Sequence, residues 1–144
     1  MKLPRNARDL PTRIATGAYI LHAGLDKWNG DDKRAAAIHG MAAGAYPALG
    51  DVPAPIFLKA LAASEVGIGA MLLSPFVSNA AAGAALTGFS GGLIGMYLRT
   101  EALRNPRSIW PSPAGIAVSK DVWMLAIGVG LLVDSLTSWS RKKS

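Results

Sequence analysis

No cysteine occurs anywhere in the chain, which removes disulfides, thiolate metal sites, Cys-X-X-Cys redox chemistry and cysteine nucleophiles together. Histidine is nearly as scarce: His22 and His39 are the two, and they fall on different predicted elements. Charged residues make up only 17% of the chain, where an ordinary soluble domain has about a quarter. No phosphate loop, metal-ligand spacing or nucleophile with a positioned base can be read from the residues. These absences point away from a catalytic activity of its own, and neither a catalytic residue nor a metal site is expected.

What the chain does have is apolar surface. Hydrophobic residues are 51% of it and the mean hydropathy is +0.29, a balance that suits lipid as solvent. With 144 residues, residues 1–144 make one domain. The net charge of +6 is gathered at the ends, in Lys2, Arg5, Arg8 and Arg13 and in Arg141, Lys142 and Lys143. Bases flanking apolar runs fit anionic lipid headgroups better than nucleic acid, so the expected partner is the bilayer.

Between Glu65 and Arg99 no acidic or basic side chain occurs. As one helix, residues 66–98 would run roughly 50 Å, well past a hydrocarbon core of about 30 Å. The run must fold back, and Ser74-Pro75-Phe76 is where it can, because proline disfavours helix in the residue before it and lacks an amide hydrogen. The pattern predicts an all-α integral membrane four-helix bundle with helices over about 12–28, 56–73, 77–98 and 122–139. A short alanine-rich interfacial helix in KRAAAIHGMAAGA follows the first, capped by Asn29, Asp31 or Asp32. Trp28, Tyr97, Trp123 and Trp139 fall at the predicted lipid–water boundaries. Residues 99–120 read as an irregular basic loop, with three prolines and Arg99, Arg104, Arg107 and Lys120. Lys and Arg tie in number across the two sides, and the cluster before the first helix favours cytoplasmic termini.

Membrane helices associate where small residues let backbones approach. On the predicted third helix Ala84, Gly88 and Gly92 recur at four-residue spacing, and Gly91 with Gly95 makes an overlapping pair. Gly88, Gly91, Gly92 and Gly95 are therefore the expected packing residues, for docking inside the bundle first and against another protein second.

GAYILHAGLDKW raises a different question, because its apolar run ends in His22, Asp26 and Lys27. His22 and Asp26 share a helix face, and counted from Trp28 they lie about 9 Å and 3 Å deep. On the next helix Glu65 lies roughly 13 Å deep and Lys59 roughly 4–5 Å, measured from Ile56. The matching depths predict a two-tier polar seam, Asp26 with Lys59 and His22 with Glu65. The seam is either a hydrogen-bonded structural pair with snorkelling lysines or a small pocket for a quinone headgroup, a polar lipid or a proton.

The ending His22-Ala23-Gly24-Leu25-Asp26-Lys27, the stretch Glu65-Val66-Gly67-Ile68-Gly69 and the short turn into an alanine-rich helix together resemble the DoxX-like family of small four-helix bacterial membrane proteins. The likeness runs over roughly residues 12–136. Ser78 and Asn79 stand where such proteins often carry a basic residue, and Ser74-Pro75 replaces a glycine-containing turn. The resemblance implies a multi-pass bacterial plasma-membrane protein that is either a subunit of a membrane oxidoreductase, thiosulfate:quinone enzymes among them, or an accessory or assembly factor. The expectation is a small accessory subunit or assembly partner of a larger membrane complex, acting by helix packing and a basic loop and needing no cofactor. The alternative is a quinone-interacting small subunit of an oxidoreductase.

Overall fold

A computed structural model of the chain describes residues 7–143; Lys2 and Arg5 of the basic N-terminal cluster lie outside them. After a 3-10 turn at Ala7–Asp9 come α1 (Leu10–Trp28) and α2 (Asp32–Ala45), then a 3-10 turn (Pro47–Asp51). α3 (Ala54–Leu73) and α4 (Asn79–Arg99) follow, then a further 3-10 turn (Glu101–Leu103), α5 (Ile116–Ser119) and α6 (Asp121–Arg141). Among the described residues there is no strand; the one departure is an isolated bridge between Arg104 and Pro111.

The helix ends follow from local chemistry. Ser74 takes extended backbone before Pro75 and stops α3, and Ser78 Oγ accepts the Ala81 N–H at 3.1 Å to start α4. The hairpin folds at the expected place. Asp31 Oδ1 does the same for α2, accepting from the Arg34 N–H at 2.8 Å.

Among the described residues, three helical stretches are long and apolar enough to cross a membrane: Ala54–Leu73, Asn79–Arg99 and Ile116–Arg141. The expected fourth, α1, is not among them, because it carries Arg13, Asp26 and Lys27 within nineteen residues.

The long helices associate as two close pairs. α1 lies on α3 through Gly17, Gly24 and Gly69: a Cβ on Gly17 would stand 2.9 Å from Leu72 Cβ, and one on Gly24 2.8 Å from the Val66 nitrogen. α4 lies on α6 through Gly83 and Gly128, where a Cβ on Gly83 would stand 2.9 Å from the Gly128 carbonyl. Between the pairs, Ile20, Ile68, Leu72, Ala82, Leu86 and Leu131 form one buried cluster. Close approach thus occurs within each pair, and larger side chains fill the space between pairs.

Three of the four expected packing glycines take no part in close helix contact. Nothing lies within 4 Å of a Cβ placed on Gly88, Gly91 or Gly92. The buried row of α4 runs through Ala82, Gly83, Leu86 and Ser90; Gly88 and Gly92 sit two positions on from Leu86 and Ser90, about 200° around the helix. Gly95 does have a close neighbour, the hydroxyl end of the Tyr46 ring, which donates to the Gly92 carbonyl at 2.8 Å. That ring belongs to a second apolar cluster, in which Ala42, Ala45 and Met96 are buried against Tyr46, Leu49, Phe57 and Leu93. α2 is therefore folded onto α3 and α4, and His39 is spent on structure: its Nε2 lies 2.8 Å from the Leu49 carbonyl and its ring meets Phe57 edge-on.

Candidate functional site

The polar seam between α1 and α3 exists, with different members from those expected. The face of α1 turned to α3 runs Arg13, Thr16, Gly17, Ile20 and Gly24, and Lys27 continues it at helical spacing. His22 and Asp26 share a face as expected, but it is the outward one, about 200° from Gly24. His22 is exposed and makes no pair with Glu65. Close packing at Gly17 and Gly24 decides the rotation of α1, and the ionisable side chains follow from it.

Glu65 is buried halfway along α3 and receives Lys27 instead: Lys27 Nζ donates to Oε1 at 3.1 Å and lies 3.0 Å from Oε2. Both side chains are largely out of solvent, at 19% and 9% exposure. Oε2 has the ion pair but no hydrogen bond of its own. Asp121, at the start of α6, lies within electrostatic reach of both Glu65 and Lys27. The Lys27 ammonium is bonded to Glu65 alone, with the Asp121 carboxylate near that pair.

The shallower tier is also rearranged. Asp26 pairs with Arg34 of α2 at 2.7 Å, a half-exposed contact. Lys59 donates to the Trp28 carbonyl and lies over the Trp28 ring, 4.4 Å from its centroid. Lys59 thus neutralises the carbonyl end of α1, a favourable place for a cation, while Asp26 ties α1 to α2.

Arg13 belongs to the basic cluster expected at lipid headgroups, and the structure places it elsewhere. It is 4% exposed and is the most fully bonded polar group described in the protein. Its guanidinium donates to the carbonyls of Met71 at 2.8 Å, Leu72 at 2.9 Å, Ser74 at 3.0 Å and Val77 at 3.0 Å, and to Asn79 Oδ1 at 2.7 Å. Asn79 Nδ2 in turn donates to Asp9 Oδ2 at 2.6 Å. The carbonyls at the end of α3 lack intrahelical partners, and a planar fork with five donors on a long stem satisfies several at once. Arg13 therefore fastens the α3–α4 turn to α1. The turn lacks a basic residue at Ser78 and Asn79, and α1 delivers one there. A legible signal existed in the series Arg13, Gly17, Ile20, Gly24, Lys27, spaced three or four apart with a base at each end.

At the other end of α6, Asp134 faces Arg8 at 3.6 Å. In the loop after α4, Arg99 stacks 4.8 Å from the Tyr46 ring centroid and Arg104 donates to the Ser108 carbonyl at 3.1 Å. Two of the four loop bases thus serve the fold itself.

No family model, curated protein or solved structure matches the chain. The likeness to DoxX-like proteins accordingly stands on the short motifs quoted above. Within those motifs, this structure gives Gly24 to helix contact and Lys27 to Glu65.

Proposed function

We infer that this chain is a small integral membrane accessory subunit or assembly partner of a larger membrane complex, built on the DoxX-like pattern in a bacterial plasma membrane. Three apolar spans support the membrane part. α1 serves as the fourth span, because two of its three charges are consumed inside the protein, Arg13 by carbonyls and Lys27 by Glu65, while Asp26 stands two residues from the helix end and pairs with Arg34. A paired or hydrogen-bonded charge avoids most of the penalty of an isolated one in lipid.

The observation that carries the accessory role is the outward face of α4. Gly88, Gly91 and Gly92 leave open space there where a Cβ would stand, and Gly92 is held from the side only through its carbonyl, which accepts from Tyr46 Oη at 2.8 Å. Glycine in a helix interior costs about 1 kcal/mol relative to alanine, and in lipid that cost is repaid by close approach of another backbone. Gly83 and Gly128 show how this chain uses such approach internally. The open glycines offer the same surface to a partner helix, with Arg107 and Lys120 of the loop exposed at the same end of α4.

The quinone reading needs His22 and Glu65 at one headgroup, and they face different ways. The test is purification of Gly88→Leu and Gly91→Leu variants from native membrane in mild detergent beside the unaltered protein. Loss of one defined co-purifying membrane protein, with the melting temperature of the isolated variant unchanged, is the expected result. Retention of every companion at native stoichiometry would remove the basis of the proposal.

A further inference from the structure

The loop between α4 and α5 is closed into a hairpin. The Asn105 amide donates to the Trp110 carbonyl at 2.9 Å, the Ser112 amide to the Leu103 carbonyl at 3.0 Å, and the Ser112 hydroxyl to the Ala102 carbonyl at 2.7 Å. Leu103 is buried beneath it, and Gly115 packs directly on the Leu103 carbonyl, leaving no room for a Cβ. Arg107 at the bend adopts φ 55°, the left-handed region that a turn uses. Such bracing leaves the loop little freedom to rearrange. It nonetheless holds two neighbouring large apolar side chains, Ile109 and Trp110, each 71% exposed.

One contact fixes the height of this pair. Tyr97 Oη donates to the Ile109 carbonyl at 2.6 Å, and Tyr97 is itself buried, which corrects the expectation that its ring belongs to the lipid–water belt. Tyr97 precedes the last residue of α4, Arg99, by two positions, so its Cα lies about 3 Å inside the helix end. Long side chains on a helix lean back towards its N-terminus, which takes the hydroxyl no higher than that turn. The loop thus leaves α4, bends, and returns alongside its final turn. A helix of 21 residues measures about 31 Å, close to the hydrocarbon thickness. Ile109 and Trp110 therefore stand level with the end of a span and not above it.

The geometry points to Ile109 and Trp110 as a lipid anchor: the hairpin tip lies in the headgroup–acyl boundary of the protein's own membrane, with the adjacent Arg107 at the phosphate level. Indole prefers that boundary, and a guanidinium beside it suits anionic headgroups. Trp28, Trp123 and Ile116 are exposed at the same end of the helices, so the tip completes an aromatic belt on that side. A loop tied to lipid in this way fixes the angle at which α6 enters, because α5 follows the hairpin directly. The inference rests on the membrane reading above and is independent of any partner.

The test uses the full chain reconstituted in vesicles of phosphatidylcholine with phosphatidylglycerol, with and without phosphatidylcholine brominated near the top of the acyl chain. Difference emission between the unaltered protein and Trp110→Phe isolates residue 110, and Trp123→Phe isolates a residue of α6 in the same way. Both substitutions are at exposed sites and leave the far-ultraviolet circular dichroism unchanged. Loss of the Trp110 emission on bromination, with a blue-shifted maximum, is expected. Quenching of Trp123 with Trp110 left bright and red-shifted would overturn the anchor while leaving the membrane reading intact, and would hand the tip to a protein partner. Absence of quenching at both positions would overturn the two together.

Discussion

Replacing Arg13 with methionine keeps the length and packing of the side chain and removes the donors. Five hydrogen bonds go at once, four of them from backbone carbonyls at Met71, Leu72, Ser74 and Val77. Charge-assisted bonds contribute about 1.5–3 kcal/mol each when measured singly. The values do not add, because one guanidinium makes all five and water can reach the half-buried Val77 and Asn79 side once it is gone. The Leu72 bond is fully buried and has no such substitute. Loss of a buried network of this kind costs about 3–5 kcal/mol, and the expected value lies at the lower end of that range. Arg13→Lys retains the charge near the end of α3 but not the fork, so it should recover less than half of the loss. Equilibrium unfolding of the purified protein in mixed micelles of rising SDS fraction, followed by circular dichroism, reads these differences. Hydrogen exchange at the amides of residues 78–82 should rise in step, since Asn79 loses its anchor. A methionine variant within about 1 kcal/mol of the parent, or a lysine variant equal to it, would refute the stapling role of the guanidinium.

Lys27→Met leaves Glu65 buried without its cation and should destabilise by about 3–5 kcal/mol in the same assay, whereas Lys27→Met with Glu65→Leu should recover most of that. Equal losses for the single and double variants would mean that packing around the stems, not the pair, carries the effect. Gly83→Leu and Gly128→Leu force the α4–α6 pair apart and should lower the melting temperature in detergent by the equivalent of about 1–3 kcal/mol or more; Gly88→Leu, with open space around it, should leave it unchanged. Gly115→Ala has no room beside the Leu103 carbonyl, so limited proteolysis should cut near Arg104 or Arg107 in that variant and spare the parent.

Composition and punctuation made the elements legible. Proline at 75 ended α3, Ser78 and Asp31 started the helices that follow them, and the absence of charge from 66 to 98 required a hairpin. Those are local effects, decided by the residue and its immediate neighbours, and so they survive translation from one dimension to three. The candidate site was legible only in part: Lys59 and Glu65 do face α1, but the depth-matched partners Asp26 and His22 point elsewhere. Depth along a helix follows from counting at 1.5 Å per residue, whereas azimuth depends on which stripe of small residues meets which, and the face that α1 turns to α3 is mostly small and polar, not apolar.

The amino-acid sequence by itself determined that this chain is helical, apolar enough for lipid, and doubled back at Pro75, because those properties are set by composition, propensity and chain length. Only the tertiary structure decided the rotation of each helix about its axis. That rotation gave Lys27 to Glu65, sent Arg13 from the headgroup region into the α3–α4 turn, and left Gly88, Gly91 and Gly92 on the outside. The reason is steric: helices settle where Gly17, Gly24 and Gly69, or Gly83 and Gly128, let two backbones touch, and every charged side chain then takes the position that the contact assigns.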